Sequence, residues 1–356
     1  MENLVKIKKL EKSFWKDKKV LITGHTGFKG SWLTIWLNQI GAKVYGISLP
    51  PDQKPSLFEK ANISRFCESI ICDIRDYQKT ESYIKKINPD IIFHLAAQPI
   101  VKESYKNPLN TFSTNIMGSI NILNISRNIS NLKTLIVVTT DKVYKNKEWD
   151  YPYRETDELG GSDPYSASKA SVEIIINSFR ESFFKDKKVN ILSARAGNVI
   201  GGGDWSKDRL IPDTIKAWQS SSYLNIRRPD FIRPWQHVLE PLFGYLLMAQ
   251  YSYKRFSLKK SYNFGPNTSE LISVRELVEI SKKYIQDLKV KFNDQDTFHE
   301  SGKLLLENSL ARKDFGYSPR WGIEKNLKRT MEWYKEFYQG SDAFDLCLKD
   351  IEFFEG

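Results

Sequence analysis

Lys19-Val20-Leu21-Ile22-Thr23-Gly24-His25-Thr26-Gly27-Phe28-Lys29-Gly30 is the stretch on which the reading of the fold turns. Its first five residues have the apolar run of a short buried strand, and Gly24 ends it. G-x-x-G-x-x-G then leads into Trp32-Leu33-Thr34-Ile35-Trp36-Leu37, whose apolar spacing is helical and stops near Gly41. Lys43-Val44-Tyr45-Gly46-Ile47 follows as a second strand and closes a βαβ unit. In this strand–turn–helix setting, glycines let the main chain approach a pyrophosphate, and the helix N-terminus offers oriented N–H groups. Gly24, Thr26, Gly27, Phe28, Lys29 and Gly30 are therefore expected to hold a dinucleotide.

Working outward, Ser69–Cys72, Asp90–Phe93, Thr134–Val138 and Val189–Leu192 read as further strands, with helical patterns between most of them. That alternation predicts an α/β fold, a doubly wound parallel sheet covered on both faces. After about Asn198 the pattern breaks at Gly201-Gly202-Gly203-Asp204-Trp205 and Arg233-Pro234-Trp235, and helices are expected near 273–287 and 324–338. Residues 1–197 are expected to form the dinucleotide-binding domain. Residues 198–356 are expected to form mainly a smaller C-terminal substrate-binding lobe, with the chain crossing back to the sheet around 235–265.

Composition narrows the functional classes. The net charge of +11 comes from lysines and arginines scattered along the chain, including Lys6-Ile7-Lys8-Lys9, rather than gathered on one helix. That argues for a solvated basic surface, with some bias toward an anionic small substrate, and against a nucleic-acid partner. No apolar run has the length of a membrane span, and Met1 to Lys19 lacks the apolar core of a signal peptide, which predicts a cytoplasmic enzyme. Cys67, Cys72 and Cys347 do not have paired spacing, and His25, His94, His237 and His299 lie far apart, so neither disulfides nor a metal centre is expected.

The catalytic candidates come in two groups. Tyr165-Ser166-Ala167-Ser168-Lys169 places a phenol and an ammonium one helical turn apart, where the lysine can stabilise a phenolate that acts as a base. Thr140, just past the fifth strand, could orient a substrate hydroxyl toward it. Asp141 and Lys142 are surplus to a simple alcohol oxidation and suggest that a further step follows it.

Four other readings stay open. The second strand runs into Ser48-Leu49-Pro50-Pro51-Asp52, with no acid at its end and no arginine to hold a 2′-phosphate, so NAD over NADP is a preference and not a deduction. Asp73 could accept from an adenine amino group or cap the helix that follows. In His94-Leu95-Ala96-Ala97-Gln98 the small alanines would let main chain lie against a cofactor, and Gln98 would point toward a substrate. Arg209 and Arg233 could clamp a diphosphate or form ordinary ion pairs.

Together these residues resemble the extended short-chain dehydrogenase/reductase superfamily and, within it, the CDP-glucose 4,6-dehydratases. The similarity runs from about Phe14 to about Glu336. It is most distinctive at Arg195-Ala196-Gly197-Asn198-Val199-Ile200-Gly201-Gly202-Gly203-Asp204-Trp205 and Ile232-Arg233-Pro234-Trp235-Gln236-His237-Val238. Relatives acting on dTDP- and GDP-sugars typically carry Asp-Glu where this chain has Asp141-Lys142. The resemblance implies a Rossmann-type domain with bound NAD, a nucleotide-sugar lobe, and a homodimer through paired helices or a tetramer built from it. It implies cofactor contacts at the glycine turn and at Asp73, Ile74, Leu95, Ala96, Ala97, Tyr165, Lys169 and Ala196. Substrate contacts are implied at Gln98, Asn198, Arg209, Leu210, Arg233 and His237.

The reaction it implies is an internal redox cycle on CDP-glucose. Tyr165, assisted by Thr140 and Lys169, takes the O4 proton as C4 gives hydride to NAD. Asp141 protonates the departing O6 hydroxyl, and the hydride returns to C6. Lys142 acts either as a neutral amine that removes the C5 hydrogen or as a cation that stabilises the enolate. A nucleotide-sugar 4-epimerase would use Thr140, Tyr165 and Lys169 without needing Asp141 and Lys142. A non-enzymatic NAD(P)-sensing protein would not need the Tyr165/Lys169 pair.

Overall fold

The computed structural model describes residues 9–255, 261–292 and 302–356. The first eight residues, with Lys6, Ile7 and Lys8, and also His299, lie outside the described residues. Seven strands form one sheet: β1 (Lys19–Thr23), β2 (Lys43–Ser48), β3 (Glu68–Ile71), β4 (Ile91–His94), β5 (Thr134–Val138), β6 (Asn190–Ala196) and β7 (Ser261–Phe264). Their order is β7-β6-β5-β4-β1-β2-β3 and every pairing is parallel. The order reverses between β1 and β4, and in open parallel sheets a ligand crevice lies at the strand C-termini at such a reversal. The glycine turn leaves β1 at that point. The α/β class and the doubly wound parallel sheet expected from the sequence are both present.

The reason for parallel pairing is visible in burial. Every residue of β4, β5 and β6 is buried, as befits strands covered by helices on both faces. One face is covered by α1 (Phe28–Gln39), by α6 (Leu239–Ser252) and by the C-terminal helices α7 (Ile323–Tyr338) and α8 (Ala343–Glu355). The other face is covered by α2 (Tyr77–Ile87), α3 (Gly118–Ser126) and α4 (Pro164–Phe179). α5 (Leu210–Gln219) packs beside the short strand Tyr223–Ile226. α1 is apolar all round because it is sandwiched: Trp36 stacks on Phe243 of α6, meets Phe354 of α8 edge-on, and donates to Glu355 Oε1 at 2.8 Å.

Several boundaries differ from the sequence reading for identifiable reasons. β6 continues past Leu192 to Ala196 because the polar Ser193 and Arg195 point to buried partners and not to water. α6 was not expected as a helix because nearly all its residues are buried, which erases the amphipathic period. The helix expected over 273–287 spans Val274–Lys282, started by a capping box between Ser273 and Glu276. Beyond β6, short strand pairs build the lobe: Val199–Ile200 with Gln236–His237, Ile232–Arg233 with Ile272–Ser273, and Tyr223–Ile226 with Lys289–Phe292.

Candidate active site

The three glycines of the turn serve different ends. Gly24 has φ of +80°, and a Cβ there would lie 2.8 Å from the Ala96 nitrogen. A Cβ on Gly30 would collide with the Gly24 carbonyl oxygen, so helix and turn pack main chain to main chain. Gly27 is exposed, and a Cβ on it would meet only Gly24 O at 3.4 Å. It is also the N-cap of α1 and makes no side-chain cap bond. The open approach over Gly27 and the uncapped first-turn N–H groups together fit a dinucleotide diphosphate. Thr26 fixes the turn through its hydroxyl, 2.7 Å from Ser48 Oγ and 2.9 Å from Leu49 O. Phe28 and Lys29 begin the helix, and burial beside Arg209 and Lys169 brings the Lys29 amine down to about 8.

The remaining cofactor candidates line the strand ends. Leu95 N–H donates to Thr23 O, Ala96 N–H donates to Thr23 Oγ1 at 3.2 Å, and Ala97 follows in the same half-buried loop. Ala196 is the buried last residue of β6. Ile74 is buried against Gly118. The Asp73 carboxylate is held by the Arg75 guanidinium and main-chain N–H, which keeps it below its ordinary range. The cap of α2 is Asp76, not Asp73. Gly46 was not singled out, yet a Cβ there would strike the His25 imidazole. A glycine inside a strand pattern is the signal for such close approach.

Thr140, Asp141, Lys142, Tyr165 and Lys169 converge where β5 meets α4. Asp163 caps α4 by accepting from Ser166 N–H at 2.9 Å, which sets the start of the helix carrying Tyr165 and Lys169. Thr140 caps the turn Asp141–Val143, and its hydroxyl donates to Asp141 Oδ1 at 2.9 Å. Asp141 is 2% exposed, and burial raises its pKa against the opposing pull of Lys142, Thr140 and Arg233. Burial pushes the Tyr165 phenol up to about 12, opposed first by a hydrogen bond with Thr140 and then by Arg209. The Lys169 ammonium donates to Val138 O at 3.1 Å, and burial brings it down to about 8 against the pull of Glu173. The amine is turned to the end of β5, and Thr140 is the nearer support.

The substrate candidates divide. Asn198 and Arg233 line one cleft with Asp141, Lys142, Ser166 and Tyr144. Arg209 precedes α5 and is bonded to Asp204 Oδ2 at 3.1 Å, while Leu210 opens that helix half-buried against the core. Two further candidates do not line that cleft. Gln98 turns its amide inward, donating to Thr111 Oγ1 at 2.8 Å and accepting from Ile100 N–H at 2.6 Å. His237 is fully buried between Trp32 and Trp321, with ring centroids 5.9 and 5.0 Å away, and is a core residue. It lies in a two-residue strand, where neighbouring side chains point opposite ways and spacing alone does not choose the face.

Among the described residues no cluster of three His, Cys, Asp or Glu side chains is arranged to hold a metal.

Three comparisons bear on this site. The family model described as GDP-mannose 4,6 dehydratase matches residues 21–333. A protein of Salmonella typhimurium called CDP-glucose 4,6-dehydratase is 42% identical over 347 residues, 96% of each chain. Among solved structures, the epimerase Mth375 of Methanothermobacter thermautotrophicus superposes with a TM-score of 0.80 at 22% identity, covering 93% of this chain and 96% of that one. A Thermus thermophilus UDP-glucose 4-epimerase, solved as a complex with NAD, gives a TM-score of 0.76 at 22% identity, covering 89% and 99%. At these identities the two structures speak for the fold.

Proposed function

The chain belongs to the GDP-mannose 4,6-dehydratase family within the extended short-chain dehydrogenases/reductases, and on that footing we propose that it is an NAD-dependent CDP-glucose 4,6-dehydratase. As a hydro-lyase it converts CDP-D-glucose to CDP-4-dehydro-6-deoxy-D-glucose and water. The observation that carries this reading is the 42% identity to the Salmonella typhimurium enzyme across almost the whole of both chains. NAD, which the glycine turn at 24–30 would hold, would supply a reversible hydride store between C4 and C6, so that no external reductant would be needed.

The chain's own residues supply the proton chemistry. Tyr165 receives the O4 proton, its hydrogen bond with Thr140 opposes the burial that otherwise keeps the phenol neutral, and Lys169, one helical turn away, assists as a cation. The 4-ketone then acidifies the C5 hydrogen, because the resulting carbanion delocalises into an enolate. Asp141, raised by burial and held by Thr140, is suited to protonate the leaving O6 hydroxyl. Lys142 faces the same cleft and either takes the C5 hydrogen as a neutral amine or stabilises the enolate as a cation. Unchanged C5 exchange with solvent in Lys142→Met would remove it as the essential base. Arg233 and Arg209 are the candidates for the substrate diphosphate, and Asn198 for the sugar.

The exposed Leu109 and Met117, on the helical run leading into α3, and Ile174 on α4 support self-association through these packed helices. No helix among the described residues is long and apolar enough to cross a membrane, in keeping with the cytoplasmic placement proposed here.

The test is to incubate the protein, with NAD, in CDP-, dTDP-, GDP- and UDP-glucose and to assay the 4-keto-6-deoxy sugar. Conversion of CDP-glucose is expected. Activity confined to another nucleotide would overturn the base assignment, and formation of CDP-galactose would identify an epimerase.

A further inference from the structure

Glu173 and Arg195 form an ion pair in the interior. Arg195 Nη2 lies 2.9 Å from Glu173 Oε2, and the side chains are 4% and 2% exposed. A pair at that depth needs further hydrogen bonds, and it has several, although Arg195 Nε is left without one. Glu173 accepts from Thr139 Oγ1 at 2.6 Å and from Ser193 Oγ at 2.8 Å. Arg195 Nη1 donates to Tyr144 OH at 2.9 Å and to Glu155 O at 3.1 Å.

Two of the anchors, and both members of the pair, lie close to site residues. Thr139 precedes Thr140 at the end of β5. Glu173 lies one turn along α4 from Lys169, on the same helical face. Tyr144 ends the turn that carries Asp141 and Lys142, and Arg195 precedes Ala196 at the end of β6. We propose that Glu173 and Arg195 are a positioning pair for the dehydratase site, holding a carboxylate one helical turn from Lys169 and clamping the Asp141-Lys142 turn to the helix that bears Tyr165. The proposal rests on the reading of the function given above.

The charges around Lys169 come from several elements. Lys29 of α1 interacts with it unfavourably, and His94 of β4 is buried and neutral, at about 3. Tyr165 shares its helix. Glu173 is the group that favours the ammonium against burial. Glu173 is in turn faced by Arg195 of β6 and by Arg180, just past α4, and stays ionised. Removing the Glu173 charge should therefore make Lys169 lose its proton at lower pH.

Glu173→Gln alone strands the Arg195 guanidinium in the interior, so the decisive variant is Glu173→Gln with Arg195→Met, which removes both charges. Two measurements apply to it. The first is the titration of Lys169 against pH, read from the side-chain resonance of 13C-lysine-labelled protein as the difference from the same protein carrying Lys169→Met, without substrate or cofactor. The second is kcat and KM for CDP-glucose against pH. The expected result is Lys169 losing its proton at lower pH and the alkaline limb of kcat moving down by about one unit, a tenfold rate loss above it, with KM within about threefold. Wild-type titration and an unmoved kcat profile would reduce the pair to a structural one. If the unaltered protein fails to turn over CDP-glucose, the functional reading fails while the lysine titration still decides the pair.

Discussion

Thr140 Oγ1 donates a 2.9 Å hydrogen bond to Asp141 Oδ1, so the hydroxyl proposed to serve the oxidation is bonded to the carboxyl proposed to serve the elimination. Thr140 also supports the Tyr165 phenol. Thr140→Val should therefore slow both half-reactions by about 10- to 100-fold, the worth of one buried hydrogen bond to a charged group. Thr140→Ser should restore most of the loss. Single-turnover rates of C4 oxidation and of C6 deoxygenation separate the two effects, and a loss confined to one of them would contradict the shared role.

Asp141→Asn should leave oxidation at C4 within a few-fold and slow loss of the O6 hydroxyl by about 10²- to 10⁴-fold, the range for a displaced general acid. The 4-keto sugar that still bears its C6 hydroxyl should then accumulate, and quenched-flow mass spectrometry would detect it. Equal slowing of both steps would mean that Asp141 acts on the whole site.

The glycine turn separates binding from folding. Gly27→Ala adds a methyl that meets only Gly24 O at 3.4 Å, so the melting temperature should change little. The same methyl narrows the diphosphate approach, and NAD affinity by calorimetry should fall at least about tenfold, about 1.4 kcal/mol. Gly30→Ala places its methyl into the Gly24 carbonyl and should lower stability by about 1–3 kcal/mol, the range for overpacking.

Buried titratable groups predict an acid-sensitive fold with a break in its slope. Burial lowers His25 to about 4 and His94 and His237 to about 3. Their stabilising contribution is present above the unfolded pKa of about 6.5 and is lost as pH falls toward those values. Glu240 and Asp350, raised by burial to about 7, act oppositely: their contribution is full below the unfolded carboxylate pKa and is lost as pH rises through 7. Between about pH 4.5 and 6.5 the two sets oppose each other and the slope is shallow. Below about 4.5 that opposition ends, carboxylates held low by their partners, such as Asp73 and Glu173, add to the histidines, and the slope steepens. Urea midpoints from pH 7 down to pH 4 would show the break; a straight dependence would contradict these burial effects.

Ile174 is 63% exposed on α4 and Leu109 is 83% exposed on the neighbouring helix Pro108–Phe112. If these packed helices form the self-association surface, Ile174→Glu should convert the dominant species to monomer at micromolar concentration in sedimentation velocity. Retention of the dimer would move the interface elsewhere.

Much of this was legible because it is encoded locally. A strand, three glycines and a helix follow one another within two dozen residues, and Tyr165 and Lys169 are four apart. Short-range periodicity captures both. Ser193 and Arg195 concealed the end of β6 because their partner, Glu173, comes from another element. α6 was hidden by its own complete burial. Gln98 and His237 were assigned by neighbourhood, whereas side-chain direction is decided by Thr111 and Ile100 in one case and by Trp32 and Trp321 in the other.

By itself, then, the sequence determined the parallel sheet, the dinucleotide turn and the two groups of catalytic candidates, since each is written in the spacing of near neighbours. Only the tertiary structure decided how those candidates are charged and what holds them. Burial raises Tyr165 and Asp141, Thr140 joins them, and the Glu173 carboxylate opposes the burial of Lys169. Those effects depend on the exclusion of water and on partners distant along the chain, which no local pattern records.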